Sequence, residues 1–497
     1  MNNRSQCSFL TTYLHPSWQI LCFAIGVIIS CVIVLIIRPR IFTSIVWIIL
    51  SIFLLIVALL FSKAWMLVLT LISSFLLIDT RAGPDFMAQE YFQNLVGHTV
   101  TITGKVAKDP AEPEKSTDKY NIDLVDLQID GSAKLLPGHL FSQVYKADIQ
   151  RSDIITLRGE VSDSFGSYYA TLFNSEIINI ARPEPGDIFL TFRNIFANGV
   201  KQYIPATEAG LGIGYLLGQK TGVDSDLQNT LQTVGLTHII VASGAHLSTL
   251  VGTSRKIFGK ISRFASLLTA LLLMLLFLGI TGLSASIIRA SLVTGLSLFL
   301  WYYGHQIHPA RLIIIVAAAT LIYNPFYLTD LSWLLSFAAF SGIMILSPIL
   351  TRIFYGQKKP GFLSNTLLSS IATTLTCTPI LLFFFGQVSI ISVLANILIL
   401  PTISIAMYLT FLTGLFAFII PMASQLFGGL AQIVIRYQIN IASFFANNKS
   451  FLVQTSSNNP YVFLLYLPII VVIFTTTIWP FLKAKYQNKL NPRPLRL

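Results

Sequence analysis

The run Gly235-Leu-Thr-His-Ile-Ile-Val-Ala-Ser-Gly-Ala-His246 places His238, Ser243 and His246 inside an apolar segment. A hydroxyl with a histidine three residues on can supply a nucleophile and its base, and an imidazole can donate, accept or ligate a metal. In hydrocarbon each such group costs free energy unless it is paired or hydrated. Gly244 beside Ser243 permits a broken or re-entrant helix, whose freed backbone groups are tolerated only in protein or along a wet cavity. Helix packing through small residues, with His246 bonded locally, accounts for the same pattern equally well. An intramembrane serine hydrolase also needs an oriented base and oxyanion donors, and no acid stands near His246 in the sequence to orient it. No catalytic residue is therefore assigned, and the chain is not expected to be an enzyme.

A second stretch, Gly279-Ile-Thr-Gly-Leu-Ser-Ala-Ser-Ile-Ile-Arg-Ala-Ser291, sets Ser284, Ser286 and Arg289 at the start of an apolar helix. Its guanidinium must meet a partner, the headgroups or water, so a snorkelling and a path-lining reading both stand. Two further stretches, Asn324-Pro-Phe-Tyr-Leu-Thr-Asp-Leu-Ser-Trp-Leu-Leu-Ser-Phe337 and the run from Phe385 to Pro401, contribute Asp330, Ser336, Gln387 and Asn396. The seven histidines, His15, His98, His139, His238, His246, His305 and His308, offer no metal-cluster spacing. Cys7, Cys22, Cys31 and Cys377 show no paired spacing and read as small core residues. Neither a metal nor another cofactor is expected. With no Walker or dinucleotide motif, the chain cannot itself power transport by ATP.

The elements that must position these residues are membrane helices. Of 497 residues, 54% are hydrophobic and 11% charged, against roughly 25% charge in soluble domains. Residues 18–37, 41–61 and 64–78 form three apolar runs, the first read as retained rather than as a signal peptide. Between residues 81 and 185 the charge density rises and the period changes from helical to alternating. Strands are predicted at 100–106, 121–129, 154–161 and 168–180, with turns at Asp109-Pro110, Asp130-Gly131 and Pro137-Gly138. The fold class predicted is thus a polytopic α-helical membrane protein with an inserted small β-barrel, an OB-like soluble domain.

The divisions read from the pattern are 1–80 (N-terminal transmembrane helices), 81–185 (the barrel), 186–253 (interfacial or re-entrant helices), 254–482 (the main transmembrane domain) and 483–497 (a basic tail). Residues 187–203 alternate Phe189, Phe192, Ile195 and Phe196 with Arg193, Asn194 and Lys201, which suits a helix in the membrane interface. Clear spans are expected at 264–280, 286–303, 312–323 and 331–350. Arg255, Lys256, Lys260 and Arg263 before them, and Arg352 and Lys358 after them, fit cytoplasmic flanks. No span count is assigned to 367–480, where Pro401 divides an apolar run and Arg436 interrupts an amphipathic one. Arg38 and Arg40 conflict with an exported barrel, since three preceding spans would put them outside.

Taken in order behind an OB-like domain, the four stretches resemble the ComEC family of competence proteins, over roughly residues 97–420. The first resembles a Gly-Leu-x-His-Leu-Leu-x-Ile-Ser-Gly-Leu-His run, and residues 282–290 resemble Gly-Leu-Ser-x-Ser-x-x-Arg-Ala. Ala245, Gln219, Trp333 and Leu335 depart from the residues usual there. Many members also carry a metallo-β-lactamase-like domain with a His-x-His-x-Asp-His cluster; that spacing does not occur, so the resemblance is to a short form. It implies a multi-pass protein of the bacterial cytoplasmic membrane that passes single-stranded DNA inward during natural transformation. The implied partners are single-stranded DNA, membrane lipid, an extracellular DNA receptor and a cytoplasmic motor or strand-binding protein, with a separate nuclease allowed. The path-lining candidates are His238, Ser243, Gly244, His246, Ser284, Ser286, Arg289, Asp330, Gln387 and Asn396. A small-solute permease is the alternative outside enzymes, although no internal repeat of the kind frequent in such transporters is visible.

Charge is distributed unevenly. Residues 97–182 hold nine Lys or Arg and twelve Asp or Glu, leaving 24 basic and 9 acidic residues elsewhere. An acidic barrel repels phosphate unless its basic residues cluster, so a spacer and a strand-binding role are both open, with Tyr120, Phe141, Tyr145, Tyr168 and Tyr169 available to stack.

Overall fold

The computed structural model describes residues 15–38, 44–61, 63, 65–110, 119–129, 135–163, 166, 168–184, 186–218, 223–236, 244–282, 284–358, 360–389, 392–447, 452–454 and 459–473. Three apolar helices come first, α1 (Pro16–Ile37), α2 (Ile45–Phe61) and α3 (Met66–Gln93). The barrel follows, with β1 (Thr99–Val106), β2 (Lys119–Ile129), β3 (Leu140–Tyr145), β4 (Ile154–Ser162) and β5 (Ala170–Ala181). Then come α4 (Ile188–Lys201), α5 (Ala206–Leu217), α6 (Ser225–Thr233), α7 (Gly244–Phe258), α8 (Arg263–Thr281), α9 (Ala285–Tyr302) and α10 (Pro309–Tyr323). A 3-10 turn, Pro325–Thr329, leads into α11 (Leu331–Tyr355), α12 (Phe362–Phe385), β6 (Gln387–Ser389), α13 (Ser392–Phe416), α14 (Pro421–Ala446), β7 (Leu452–Gln454) and α15 (Tyr466–Ile473).

Among the described residues seven helices, α1, α3, α8, α9, α11, α12 and α13, are long and apolar enough to cross a membrane. Residues 312–323, expected as a clear span, belong to the 15-residue α10, which is about 22 Å long against about 30 Å of hydrocarbon. Pro401 does not end its helix: α13 runs through it from Ser392 to Phe416. Within α11, residues Gly342–Leu346 widen to a π-helix immediately before Pro348. Proline offers no N–H to the preceding turn, and the wider repeat lets Ser347 donate to the Gly342 carbonyl instead.

The chain divides into two compact units, one of residues 1–229, 237–334 and 402–439 and the other of 230–236, 335–401 and 440–497. In the second, α11 and α12 cross closely where a Cβ on Gly342 would lie 2.6 Å from Thr376 Oγ1. The first contains the barrel, α1–α5 and α7–α10 in full.

The barrel closes in the order β1-β2-β3-β5-β4, with β1 also paired to β4 and a single parallel pairing, β3 to β5. This is a five-stranded Greek-key barrel of the OB kind. Alternation turns Ile102, Ile122, Leu124, Leu140, Ile155, Leu157 and Leu172 inward, where they are fully buried. β3 is the strand that pattern reading misses. It is six residues long, and its inward position 142 is a serine, whose hydroxyl shares a 2.7 Å hydrogen bond with Ser175.

α3 continues to Gln93, past the boundary that charge density suggested at residue 81. Arg81 pairs with Asp85 one turn on at 3.2 Å and donates to the Tyr323 carbonyl at 2.9 Å. Phe86 packs edge-on against Phe326, which also meets the barrel's Tyr169. The charges that look like a loop therefore sit on a helix covered by neighbours. Arg38, the C-cap of α1, lies over the Phe86 ring at 5.5 Å, so it stands at the barrel end of α3 despite its sign.

Small residues set the approach of α1 to α3: a Cβ on Gly26 would stand 2.5 Å from Ser74 Oγ and 2.9 Å from Leu71 Cδ2. Gly26→Val should cost about 1–3 kcal/mol by overpacking and lower the melting temperature in detergent. Ile29→Val, on the exposed side of α1, should leave it unchanged. Equal melting of the two variants would show that Gly26 is not a packing position.

Candidate functional site

The site grows from α5, whose residues Glu208 to Leu217 are all buried. A helix apolar all round belongs in a core, yet this one carries Glu208 and Tyr215. Both are answered by α14. Arg436 Nε and Nη2 donate to Glu208 Oε1 at 2.9 and 2.8 Å, and the Tyr215 hydroxyl donates to Gln438 Oε1 at 2.8 Å. Gln438 Nε2 in turn donates to Thr402 Oγ1 at 2.8 Å. The Tyr215 ring, held at its hydroxyl, lies 5.7 Å from the His246 ring. His246, in the first turn of α7, is 4% exposed.

The second half of the site is α9. Ser284 N-caps it by accepting from Ile287 N, which satisfies one of the amides that a helix start leaves open. One turn further, Arg289 is 8% exposed, and Ser286 is half-buried. The Arg289 guanidinium rests against the start of α7: a Cβ on Gly244 would lie 3.0 Å from Nη2 and 2.9 Å from the Ala290 Cβ. Only a glycine leaves room there. The structure thus brings together Gly244, His246 and Arg289, from the two motifs most specific in sequence. His238 and Ser243 lie outside the described residues.

The remaining candidates fall elsewhere. Asp330 caps α11, its Oδ1 accepting from Trp333 N at 2.8 Å, and the Trp333 indole donates to Thr320 Oγ1 at 2.9 Å. Gln387 lies in β6, paired in register with Gln454 of β7. Asn396 is buried in α13, with no hydrogen-bond partner for Oδ1 among the described residues. Both belong to the second unit, as does Ser336. Tyr215 and Gln438 escape sequence reading, although Tyr215 sits inside the Gly214-Tyr-Leu-Leu-Gly218 run and Gln438 stands two residues beyond the conspicuous Arg436.

Two joints bind the barrel beside this site. Arg151, between β3 and β4, donates to the Gly279 and Ile280 carbonyls at the end of α8. Thr329, in the turn before α11, donates to the Gly166 carbonyl at 3.4 Å. The barrel and Arg263 therefore lie at opposite ends of α8, a helix of 19 residues and about 28 Å. Arg311 begins α10, whose far end also meets the barrel side through Tyr323 and Arg81.

The barrel's aromatics divide accordingly. Tyr169 is buried against Phe326, and Tyr168 packs on Phe141. Tyr145 and Tyr120, at the β2–β3 edge, carry Lys119 and Lys146 over their rings at 5.1 and 5.5 Å. Near Tyr168, buried Asp123 accepts from Lys108 Nζ at 2.7 Å and pairs with His139 Nδ1 at 2.8 Å. Burial alone would raise the Asp123 carboxyl, but the His139 hydrogen bond and the Lys108 charge hold it below the usual carboxylate range. Burial raises the Tyr168 phenol, and the Asp123 charge adds to it. Among the described residues no group of three or more His, Cys, Asp or Glu is placed to hold a metal ion.

A polytopic helical bundle that carries a closed five-stranded barrel and buries a histidine and an arginine around one helix start defines a membrane protein rather than a soluble barrel protein. The chain belongs to the Competence protein family, whose family model matches residues 215–481. It is 28% identical over 214 residues to ComE operon protein 3 of Bacillus subtilis (strain 168), a match covering 43% of this chain and 27% of that protein. The chain thus spans little more than a quarter of that relative's length. No solved structure matches it.

Because Asp123 is depressed, the stability it contributes is full above the ordinary carboxylate value, about 3.9, and is lost as pH falls through its lowered value. Asp123→Asn should speed hydrogen exchange of the β2 and β3 amides at pH 7 by the equivalent of about 2 kcal/mol, less than a fully buried pair because Lys108 is half-exposed. The gap between parent and variant should narrow toward pH 3. A gap that does not change with pH would place the effect elsewhere than in the carboxylate.

Proposed function

We propose that the protein is a channel that passes single-stranded DNA across the bacterial cytoplasmic membrane in natural transformation. Membership of the Competence family supports the process, and one observation carries the channel: a buried arginine held against the glycine that begins α7, two residues before a buried histidine. A strand crossing about 30 Å of hydrocarbon needs a hydrated, protein-lined path for its phosphates. A guanidinium stays charged at every physiological pH, so Arg289 offsets phosphate charge where the path is narrow, and His246 offers a donor and an acceptor beside it. Contacts must remain weak, because tight ones would stall the strand.

In this reading the barrel faces outward and residues 255–263 face the cytoplasm. Their separation along α8 supports that arrangement, as does the charge of Arg255, Lys256, Lys260 and Arg263. The protein acts as a conduit and not as an enzyme. An extracellular receptor delivers DNA, a separate nuclease removes the complementary strand where that is needed, and a cytoplasmic motor or strand-binding protein supplies the pull.

The test is transformation frequency per unit of membrane-inserted protein, with DNA bound at the cell surface scored separately. A charge-assisted hydrogen bond is worth about 1.5–3 kcal/mol and about 1.4 kcal/mol is tenfold in rate, so Arg289→Leu should lower transformation by about tenfold or more. His246→Ala should lower it too, with surface binding intact in both. Arg289→Lys should retain most transport if charge alone counts, and little if the planar fork is needed. Normal transformation by both His246→Ala and Arg289→Leu would return the pair to a packed histidine and a snorkelling arginine.

A further inference from the structure

Arg151 belongs to the barrel, yet its side chain is spent on the membrane helices. It is 7% exposed. Its Nε and Nη2 donate to Asp187 Oδ2 at 3.0 and 2.7 Å, Nη1 donates to the Ile280 carbonyl at 3.1 Å, and Nη2 donates to the Gly279 carbonyl at 3.0 Å. The last carbonyls of a helix have no partner within it and carry the negative end of its dipole, so a guanidinium is well matched to them. Asp187, the other half of the joint, caps α4 by accepting from Leu190 N through Oδ1. Gly282 follows with φ at +82°, and a Cβ there would stand 3.2 Å from Arg151 Nη1. Two residues later Ser284 caps α9, the helix that sets Arg289 against Gly244.

We propose that Arg151 is a positioning residue, by which the barrel fixes the α8–α9 turn and through it the placement of Arg289; its consequence for DNA uptake rests on the channel reading above. A further polar joint of the barrel, Arg193 of α4 bonded through Nη1 and Nη2 to Asp109, makes no hydrogen bond to that turn among the described residues. It separates attachment from positioning. If the barrel merely had to stay attached, loss of either arginine would have the same effect. If Arg151 positions the turn, only its loss reaches α9. Lysine at 151 keeps the pair with Asp187 but cannot also bond two carbonyls in a fork, so it should fail where simple charge pairing would be rescued.

The experiment places Ser286→Cys in a chain whose four native cysteines are replaced, and measures its reaction with a membrane-impermeant maleimide in intact cells and in inverted vesicles. In whichever preparation the thiol reacts in the parent, Arg151→Ala and Arg151→Lys should change the rate at least fivefold and Arg193→Ala should not. Transformation by the two Arg151 variants should fall with surface DNA binding retained. Unchanged reactivity in Arg151→Ala, equal changes in Arg193→Ala, or full rescue by Arg151→Lys would each overturn the positioning role. Changed reactivity with normal transformation would leave Arg151 as the positioner of the turn and count against the channel reading instead.

Discussion

A guanidinium cannot discharge itself to enter a protein interior, so each one that is buried must be met by carboxylates, carbonyls or an arrangement of backbone built around it. Among the described residues three are buried, all in one compact unit: Arg151, Arg193 and Arg289. Arg193 is met by Asp109, Arg151 by Asp187 and the carbonyl end of α8, and Arg289 rests on the glycine that starts α7. Each is a joint between elements distant in sequence. Arg193 ties α4 to the barrel, Arg151 ties the barrel to the end of α8, and Arg289 meets α9's neighbour α7, so displacing any of them leaves a buried charge without its answer.

Glycine is the counterpart of arginine at these joints. Gly244 admits the Arg289 guanidinium and the Ala290 methyl, and Gly282 supplies both a positive φ and room for Arg151. The Gly-rich character of the two motifs, which in hydrocarbon suggests only close helix packing or broken helices, acquires a definite purpose. Small residues stand where a fixed cation passes close to backbone. The buried ring pair of Tyr215 and His246 is held by side-chain hydrogen bonds running through Gln438 to Thr402, a second set of polar groups satisfied within apolar surroundings.

Much of this was legible in the sequence. The spans at 18–37, 264–280 and 286–303 and a small OB-like barrel follow from hydropathy and alternation, because membrane helices and barrel strands must satisfy their backbones in only a few ways; the strand order does not. Gly244, His246 and Arg289 could be picked out, since each is costly or unusual where it stands. What they touch could not, because the contact of Gly244 with Arg289 joins different helices and the bonds of Arg151 to α8 cross well over a hundred residues. Arg151, within Gln150-Arg-Ser-Asp153, carries no motif that would single it out. β3 was hidden by its inward serine, and the last turns of α3 by charges that turn out to be paired. Asp330 was readable in another way: an aspartate immediately before an apolar run is an N-cap signal, and capping α11 is what it does.

The central claim is that the incoming strand passes beside the start of α9. It is tested most directly by installing a photoreactive benzophenone side chain at Ser286, half-buried one turn before Arg289, and at Leu272, exposed on α8, then irradiating cells during uptake of labelled DNA. The account predicts a covalent protein–DNA adduct from position 286 that depends on ongoing uptake, and lipid adducts alone from position 272. Absence of a DNA adduct at 286 in cells that still transform, or equal DNA adducts at both positions, would contradict it.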